Sequence, residues 1–346
     1  MKIGITGGTG NISKYITKYL LERGEEVILF NNMPVDDPAY QKAKIVVCDR
    51  YDREDFIEHA SAQGEFDCVI DMICFEPEQA QIAIDAFAGH TQHFVFCSTV
   101  DAYTKDPKNY PIQQDFEKKP RPEFPYAYSK AICENMMQKA AADGAFELTI
   151  LRPVATYSEG GSPLVHAFRG GSYHLDRIRK GKKIIMHGDG SSVWTTVHAS
   201  DTARAFANAA CNPKAYGKCY DLMGDECFSY RQYFNIMAEA MGAPPIDFVF
   251  ITTDLLYRMI PDVADWCREN FMFNNIFDNT AAKEDLGFRY TISWYEGAKR
   301  CVEYLDAHQG LENSDEERFA FYDDIIKLYE EHAEQMIKTC QKWGKR

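Results

Sequence analysis

The chain has 346 residues, 45% hydrophobic and 26% charged, long enough for one large or two moderate domains sharing a core and unlike disordered, collagenous or coiled-coil chains. Lys+Arg 38 against Asp+Glu 52 gives a net charge of −14, and with no five-residue basic run a nucleic-acid backbone is on balance repelled. The eleven cysteines are odd in number, scattered and never in a Cys-x-x-Cys pair, the usage of reduced thiols. Met1 leads straight into a strand pattern, and no run of about 18 apolar residues occurs. A soluble cytoplasmic protein with no membrane partner is expected.

In chain order, short apolar or β-branched runs alternate with stretches of helical period. Strands are predicted at Lys2–Thr6, Glu26–Phe30, Lys44–Cys48, Cys68–Ile73, His93–Ser98 and Leu148–Leu151. Helices are predicted at Ile12–Arg23, Arg53–Ala60, Pro77–Phe87 and Tyr126–Asp143. The near-continuous apolar strands fit a doubly wound parallel sheet covered on both faces. After Pro153 the rhythm becomes irregular, with glycine-rich loops, and a smaller substrate lobe is expected there. Residues 1–153 and about 195–223 then make the sheet domain, about 154–194 and 224–310 the lobe, and 311–346 a terminal helix on the surface or on a partner subunit. Asp201 is read as the N-cap of a helix Asp201–Cys211 that returns to the sheet.

The first strand runs into Thr6-Gly7-Gly8-Thr9-Gly10-Asn11-Ile12-Ser13. Gly7 and Gly10 remove Cβ atoms where the chain turns tightly and let a pyrophosphate approach the backbone at Thr9, Asn11 and Ile12 at the helix start. Ser13 stands where a third glycine is usual. The residue closing the second strand reads the adenosine ribose, an acid selecting NAD and a nearby arginine NADP. Asn31 brings neither charge and no Lys or Arg follows in its loop, so NAD is favoured over NADP. Asp49 is a candidate for the adenine amino group or for a helix cap, and Arg50 is the one nearby cation suited to NADP.

Tyr126 and Lys130 are four residues apart on the longest helix and share a face. A tyrosine with a pKa near 10 is a poor base at neutral pH, and a neighbouring ammonium favours its phenolate. Tyr128 faces elsewhere and is assigned to packing. The fifth strand ends in Ser98-Thr99-Val100-Asp101, which places hydroxyls at the ligand end of the sheet. Asp101 is read as a second acid or base, or a loop cap. Trp194 can cover the apolar face of a sugar, and His198 is read as structural or as a proton carrier. No cluster has metal-ligand spacing, so no metal is predicted.

Together the glycine turn, Asp67–Asp71, Ser98-Thr99, Tyr126/Lys130, Leu151-Arg152-Pro153 and Val197–Ala203 resemble the extended short-chain dehydrogenase/reductase family, which includes NAD-dependent epimerases and dehydratases. The resemblance implies a Rossmann fold, Thr99 as the substrate-orienting hydroxyl, and Tyr126 taking a substrate proton while hydride passes to NAD. It places Ile73, Cys74 and Ser98 near the cofactor and Pro153 near the nicotinamide, and it implies a homodimer built on Pro77–Phe87 and Tyr126–Asp143.

Departures from the family pattern narrow the reaction. Val100-Asp101 replaces the Asp-Glu of sugar-nucleotide dehydratases. After Gly188-Asp189-Gly190 the diphosphate-gripping arginine is replaced by Trp194, and Ala155 stands where an asparagine is usual. Arg152, Arg169, Arg177 and Arg179 are the cations available to compensate. The expected activity is oxidation of a secondary alcohol of a sugar or sugar-like small molecule, as an epimerase. The alternatives are a dehydrogenase or reductase on a substrate without a nucleotide, and a non-catalytic NAD-binding or RNA-associated regulatory protein.

Overall fold

A computed structural model describes residues 1–161, 163–168, 172–311 and 317–343. Six strands, β1 (Lys2–Thr6), β2 (Glu26–Asn31), β3 (Lys44–Val47), β4 (Phe66–Asp71), β5 (Thr91–Cys97) and β6 (Glu147–Pro153), join a seventh, Lys218–Leu222. They form one sheet in the order Lys218–Leu222, β6, β5, β4, β1, β2, β3, with every pairing parallel. Ile5 is flanked by Leu29 and Ile70 in register, and all three are fully buried, which explains why these strands read as continuous apolar runs. The order reverses direction between β1 and β4. That reversal opens a crevice at the carboxyl ends of the strands, where ligands bind in doubly wound sheets.

Helices α1 (Ser13–Glu22), α2 (Arg53–Ser61), α3 (Pro77–Phe87) and α4 (Pro125–Ala142) make the crossovers. Asp52 caps α2 by accepting from the N–H groups of Glu54 and Asp55, and Pro77 and Pro125 open α3 and α4 at positions where a missing N–H costs nothing. On one face of the sheet Phe30, Phe56, Phe66 and Phe87 pack edge to face with α2 and α3. On the other, Ile16 and Leu20 of α1 meet Ala203 and Phe206 of the helix Ala199–Ala209.

A separate apolar cluster gathers Trp194, Tyr230, Tyr233, Trp294 and Tyr322 around two short pairings, Ile184–His187 with Phe248–Ile251 and Val193–Trp194 with Phe228–Ser229.

Two expectations are corrected. Asp201 does not cap its helix: His198 is the N-cap and accepts from Ser200 N–H, while buried Asp201 accepts from the backbone of Thr291 and Ile292. The terminal helix runs Phe321–Cys340, starting later than the predicted 311–346, of which 312–316 and 344–346 lie outside the described residues.

Candidate active site

At the crevice lies a cavity of about 630 Å³, bounded by the glycine turn, the ends of β4, β5 and β6, the start of α4 and a segment of the second apolar cluster. Gly7 has φ +75°, and a Cβ there would lie 2.6 Å from the Ile73 side chain, so only glycine fits. Ser13, in the third glycine's place, stitches the turn: its hydroxyl donates to Gly7 O at 2.5 Å and accepts from Gly10 N–H at 2.8 Å. No side chain caps α1 at Ile12. The helix start is thus suited to an anion. Asn11 donates to Thr156 O, tying the turn to the strand that follows β6. Gly7, Gly10, Asn11 and Ile12 line the cavity, whereas Thr9 is exposed beside it.

Asn31 turns its Oδ1 to Gly8 N–H at 3.2 Å, and its buried Nδ2 has no hydrogen-bond partner. That orphan donor suits a ribose hydroxyl. Asp49 is exposed and binds the N–H of Tyr51, as a local turn carboxylate. Arg50 does not face the cavity: it is 4% exposed, bidentate to Asp71 at 2.5 and 2.9 Å, and donates to Gln79 O. Breaking such a pair costs about 3–5 kcal/mol, so Arg50 is held as the brace between β4 and α3. Ile73 lines the cavity, while Cys74 is buried behind it.

Ser98, Thr99, Tyr126 and Lys130 meet in this cavity, with Pro153 and Val154 opposite. Lys130 is 1% exposed, and its ammonium donates to Cys74 O at 2.7 Å and Cys97 O at 2.8 Å. Cys74 therefore acts through its carbonyl. Thr99 stands beside the Tyr126 phenol on the cavity wall. Burial pushes that phenol above its ordinary value, Asp101 and Cys97 push the same way, and Thr99 opposes them. The resting group is thus a protonated phenol, where the spacing with Lys130 alone suggested an easily formed phenolate. Tyr128 is 42% exposed, so its assignment to packing is corrected.

A buried network holds this constellation. Ser98 Oγ donates to Glu134, which accepts two bonds of 2.7 Å from Arg152, and Arg152 donates to Tyr103, which donates to Asp221. Glu134, one turn after Lys130, thereby locks α4 to β5, β6 and Lys218–Leu222. It escaped sequence reading although an acid on the buried face of α4 was a usable signal.

Farther in, Trp266 stacks on Tyr126 with ring centroids 5.4 Å apart, and Trp194 and Phe271 complete an aromatic wall. Asp101, 8% exposed, accepts at Oδ1 from Lys105 at 3.2 Å and from Asn270 at 2.9 Å. Lys105 also donates to Asn270 and Asn275. Asn270 belongs to a π-helical turn, Cys267–Phe271, a feature frequent at functional sites. Nothing in the sequence near these residues signals the cluster, because 165 residues separate Lys105 from Asn270.

Among the described residues lining the cavity, Lys130 is the one cation and Asp101 the one carboxylate. The compensating arginines are committed elsewhere: Arg152 to Glu134, Arg177 to Asp323 and Arg179 to Asp306, while Arg169 lies outside the described residues. His198 is held by Ser200 and Glu159 away from the cavity. Among the described residues no group of three His, Cys, Asp or Glu gathers as a metal site, and no helix is long and apolar enough to cross a membrane.

A parallel sheet with a glycine turn, a hydroxyl, a tyrosine and a lysine around one crevice defines an enzyme of the extended short-chain dehydrogenase/reductase class. The chain belongs to the NAD dependent epimerase/dehydratase family, whose family model matches residues 3–221. It is 24% identical over 342 residues, covering 87% of this chain and 98% of the other, to a 2-alkyl-3-oxoalkanoate reductase of Stenotrophomonas maltophilia. It resembles in fold the UDP-glucose 4-epimerase of Thermotoga maritima solved with UDP-glucose, with TM-score 0.71, 22% identity, and 89% and 100% of the two chains covered. The UDP-glucuronic acid 4-epimerase of Bacillus cereus, solved in complex with NAD, gives TM-score 0.67 at 17% identity, with 89% and 99% covered.

Proposed function

We propose that the enzyme interconverts a secondary alcohol and its ketone with NAD, on a compact sugar or sugar-like substrate that carries no nucleoside diphosphate. The observation that carries this reading is the cavity's charge among the described residues: one ammonium, already donating to two carbonyls, beside a wall of aromatic rings. Two phosphates without cations would forgo bonds worth about 1.5–3 kcal/mol each. The chain's overall charge of −14 makes replacements scarce.

The glycine turn, the helix start at Ile12, Asn31 and Lys130 fit NAD, and Arg50's engagement with Asp71 leaves it unsuited to a 2′-phosphate. Bound NAD supplies the acceptor for the hydride leaving the carbinol carbon. Thr99 orients the substrate oxygen, and Tyr126 exchanges the hydroxyl proton with it. In the direction of ketone reduction the protonated Tyr126 is ready as the acid. Trp266 stacks on that phenol and keeps water from it. An epimerase must hold its ketone while the ketone turns over, and the diphosphate grip that would serve as an anchor has no counterpart among the described residues. Release of the ketone as product follows, so we assign a dehydrogenase or reductase in place of the epimerase expected from the resemblance.

Screening secondary alcohols and ketones against NAD and NADH, with absorbance of the reduced cofactor as readout, tests this. Stoichiometric cofactor turnover is expected, and Tyr126→Phe should lower the rate by at least a thousandfold while NAD affinity changes little. Substrate conversion without net cofactor change would restore the epimerase, and full activity in the variant would remove Tyr126 from the chemistry.

A further inference from the structure

Cys68 on β4 and Cys211, just beyond the helix Ala199–Ala209, are far apart in the chain and meet around one imidazole, toward the amino ends of the strands and away from the crevice. Cys68 and His93 are register partners on β4 and β5, and Cys68 Sγ lies 3.7 Å from His93 Nδ1. The same nitrogen accepts the Cys211 backbone N–H at 3.1 Å. The far side of the ring fixes its tautomer. Thr149 donates its hydroxyl proton to Ala215 O at 2.7 Å, so it accepts from His93 Nε2 at 2.9 Å, and burial, which pulls His93 down to about 4, keeps the ring neutral. Nδ1 is therefore a lone pair that holds the Cys211 backbone beside the Cys68 thiol.

The two thiols differ in what reaches them. Cys68 is fully buried, whereas Cys211 is half-buried. Burial and then Cys211 push the Cys68 thiol up, while Cys68 holds the Cys211 thiol below its ordinary value against burial and Asp67. Cys211 also has φ 55°, the left-handed conformation that a helix end usually gives to glycine or asparagine, and other residues held there cluster at functional sites. A reachable thiolate in front of a protonated, buried thiol is the arrangement in which one sulfur meets an oxidant and the other resolves it. We propose that Cys211 and Cys68 form a peroxide-responsive pair that closes to a disulfide. The Cys211 thiolate attacks one oxygen of hydrogen peroxide, the O–O bond breaks, hydroxide leaves and takes the proton that the thiol released, and Cys211 becomes a sulfenic acid. The Cys68 sulfur then attacks the Cys211 sulfur, the S–O bond breaks, the Cys68 proton leaves with the hydroxide as a second water, and an S–S bond remains. Two thiols lose two electrons and one peroxide gains them. The bond ties the end of the helix Ala199–Ala209 to β4, and it is independent of the reaction assigned to the crevice.

Peptide mapping of the full chain after brief treatment with hydrogen peroxide, with the remaining thiols alkylated, tests this. A peptide linked through Cys68 and Cys211 is expected, lighter by two hydrogens than its reduced halves together and opened by dithiothreitol. Cys68→Ser removes the resolving sulfur, so dimedone should then capture a sulfenic acid at Cys211, roughly tenfold or more above its capture at the exposed Cys227 and Cys340. Cys211→Ser, a change at the surface with the circular dichroism spectrum retained, should abolish the link and leave the buried Cys68 reduced. No linked peptide in the wild type, or a Cys211 in Cys68→Ser no more reactive than Cys227 and Cys340, would overturn the proposal. So would a Cys68 oxidised as readily in Cys211→Ser, or equal oxidation of all eleven thiols, which would mean that the pair has no reactivity of its own.

Discussion

Asp101, on the cavity wall, and Lys105 behind it form a nearly buried ion pair, and burial pulls the Lys105 ammonium below its ordinary value while Asp101 pulls it up. Removing one partner strands the other. Lys105→Met is expected to cost about 3 kcal/mol of stability, and Asp101→Asn/Lys105→Met should cost less than that single change. Urea unfolding of the three proteins checks this, and a double variant worse than Lys105→Met would mean that the two side chains do not act as a pair. Asp101 was visible in the sequence as a candidate carboxylate because it follows the Ser98-Thr99 strand end. Lys105 and Asn270 were not, since only the folded chain brings them to it. Arg50 shows the converse. Its position beside the second and third strands suggested a phosphate ligand, but a buried Asp71 within reach outweighs any ligand at the surface.

The turn between β1 and α1 concentrates its function in one backbone conformation. Gly7→Ala forces a side chain into the left-handed region, at about 1–3 kcal/mol, and drives its Cβ against Ile73. NAD affinity is expected to fall at least tenfold, by calorimetric titration, with a smaller effect from Ser13→Gly, which keeps the turn but loses two hydrogen bonds. An unchanged affinity in Gly7→Ala would mean that the cofactor lies elsewhere. Most strands and helices of the first 153 residues were legible because they bury a continuous apolar run or open on a proline or an aspartate cap, and α1 because its buried Ile16 and Leu20 recur at helical spacing. The strand Lys218–Leu222 was not, because Lys218 and Asp221 interrupt its apolar pattern. Asp221 is tolerated there only through Tyr103 and Arg152, residues far away in the chain. The cap at Ala199 was misread for a related reason, since His198 does a task usually given to Asp or Ser.

For the whole molecule, buried titratable groups set the response to acid. Burial pushes His93 and His187 down to about 4 and His166 to about 3. As pH falls below about 6.5, the unfolded chain takes up protons at these sites before the folded one does, so stability present at neutral pH is lost. Asp221 acts in the opposite sense. Burial raises it to about 7, so the folded chain keeps a proton that the unfolded one releases, and stability declines as pH rises from about 4 to 7. Between about pH 4 and 6.5 three histidines outweigh one aspartate, and net loss on acidification is expected. Denaturant unfolding at pH 7, 6 and 5 measures it, and His166→Asn should flatten the slope by up to about 1.4 kcal/mol per pH unit. A steeper slope in that variant would contradict the assignment.

The π-helical turn Cys267–Phe271 amounts to one residue more than a regular helix would hold. Each helical residue advances the next by about 100°, so that surplus residue alone aims Asn270 at Asp101 while Trp266, on its other side, keeps its stack on Tyr126. Deleting Arg268 would regularise the turn and rotate Asn270 out of the cavity without altering a single atom of the sheet, the glycine turn or α4. The fold thus carries a one-codon insertion point at which the inner wall of the cavity changes apart from the glycine turn and α4.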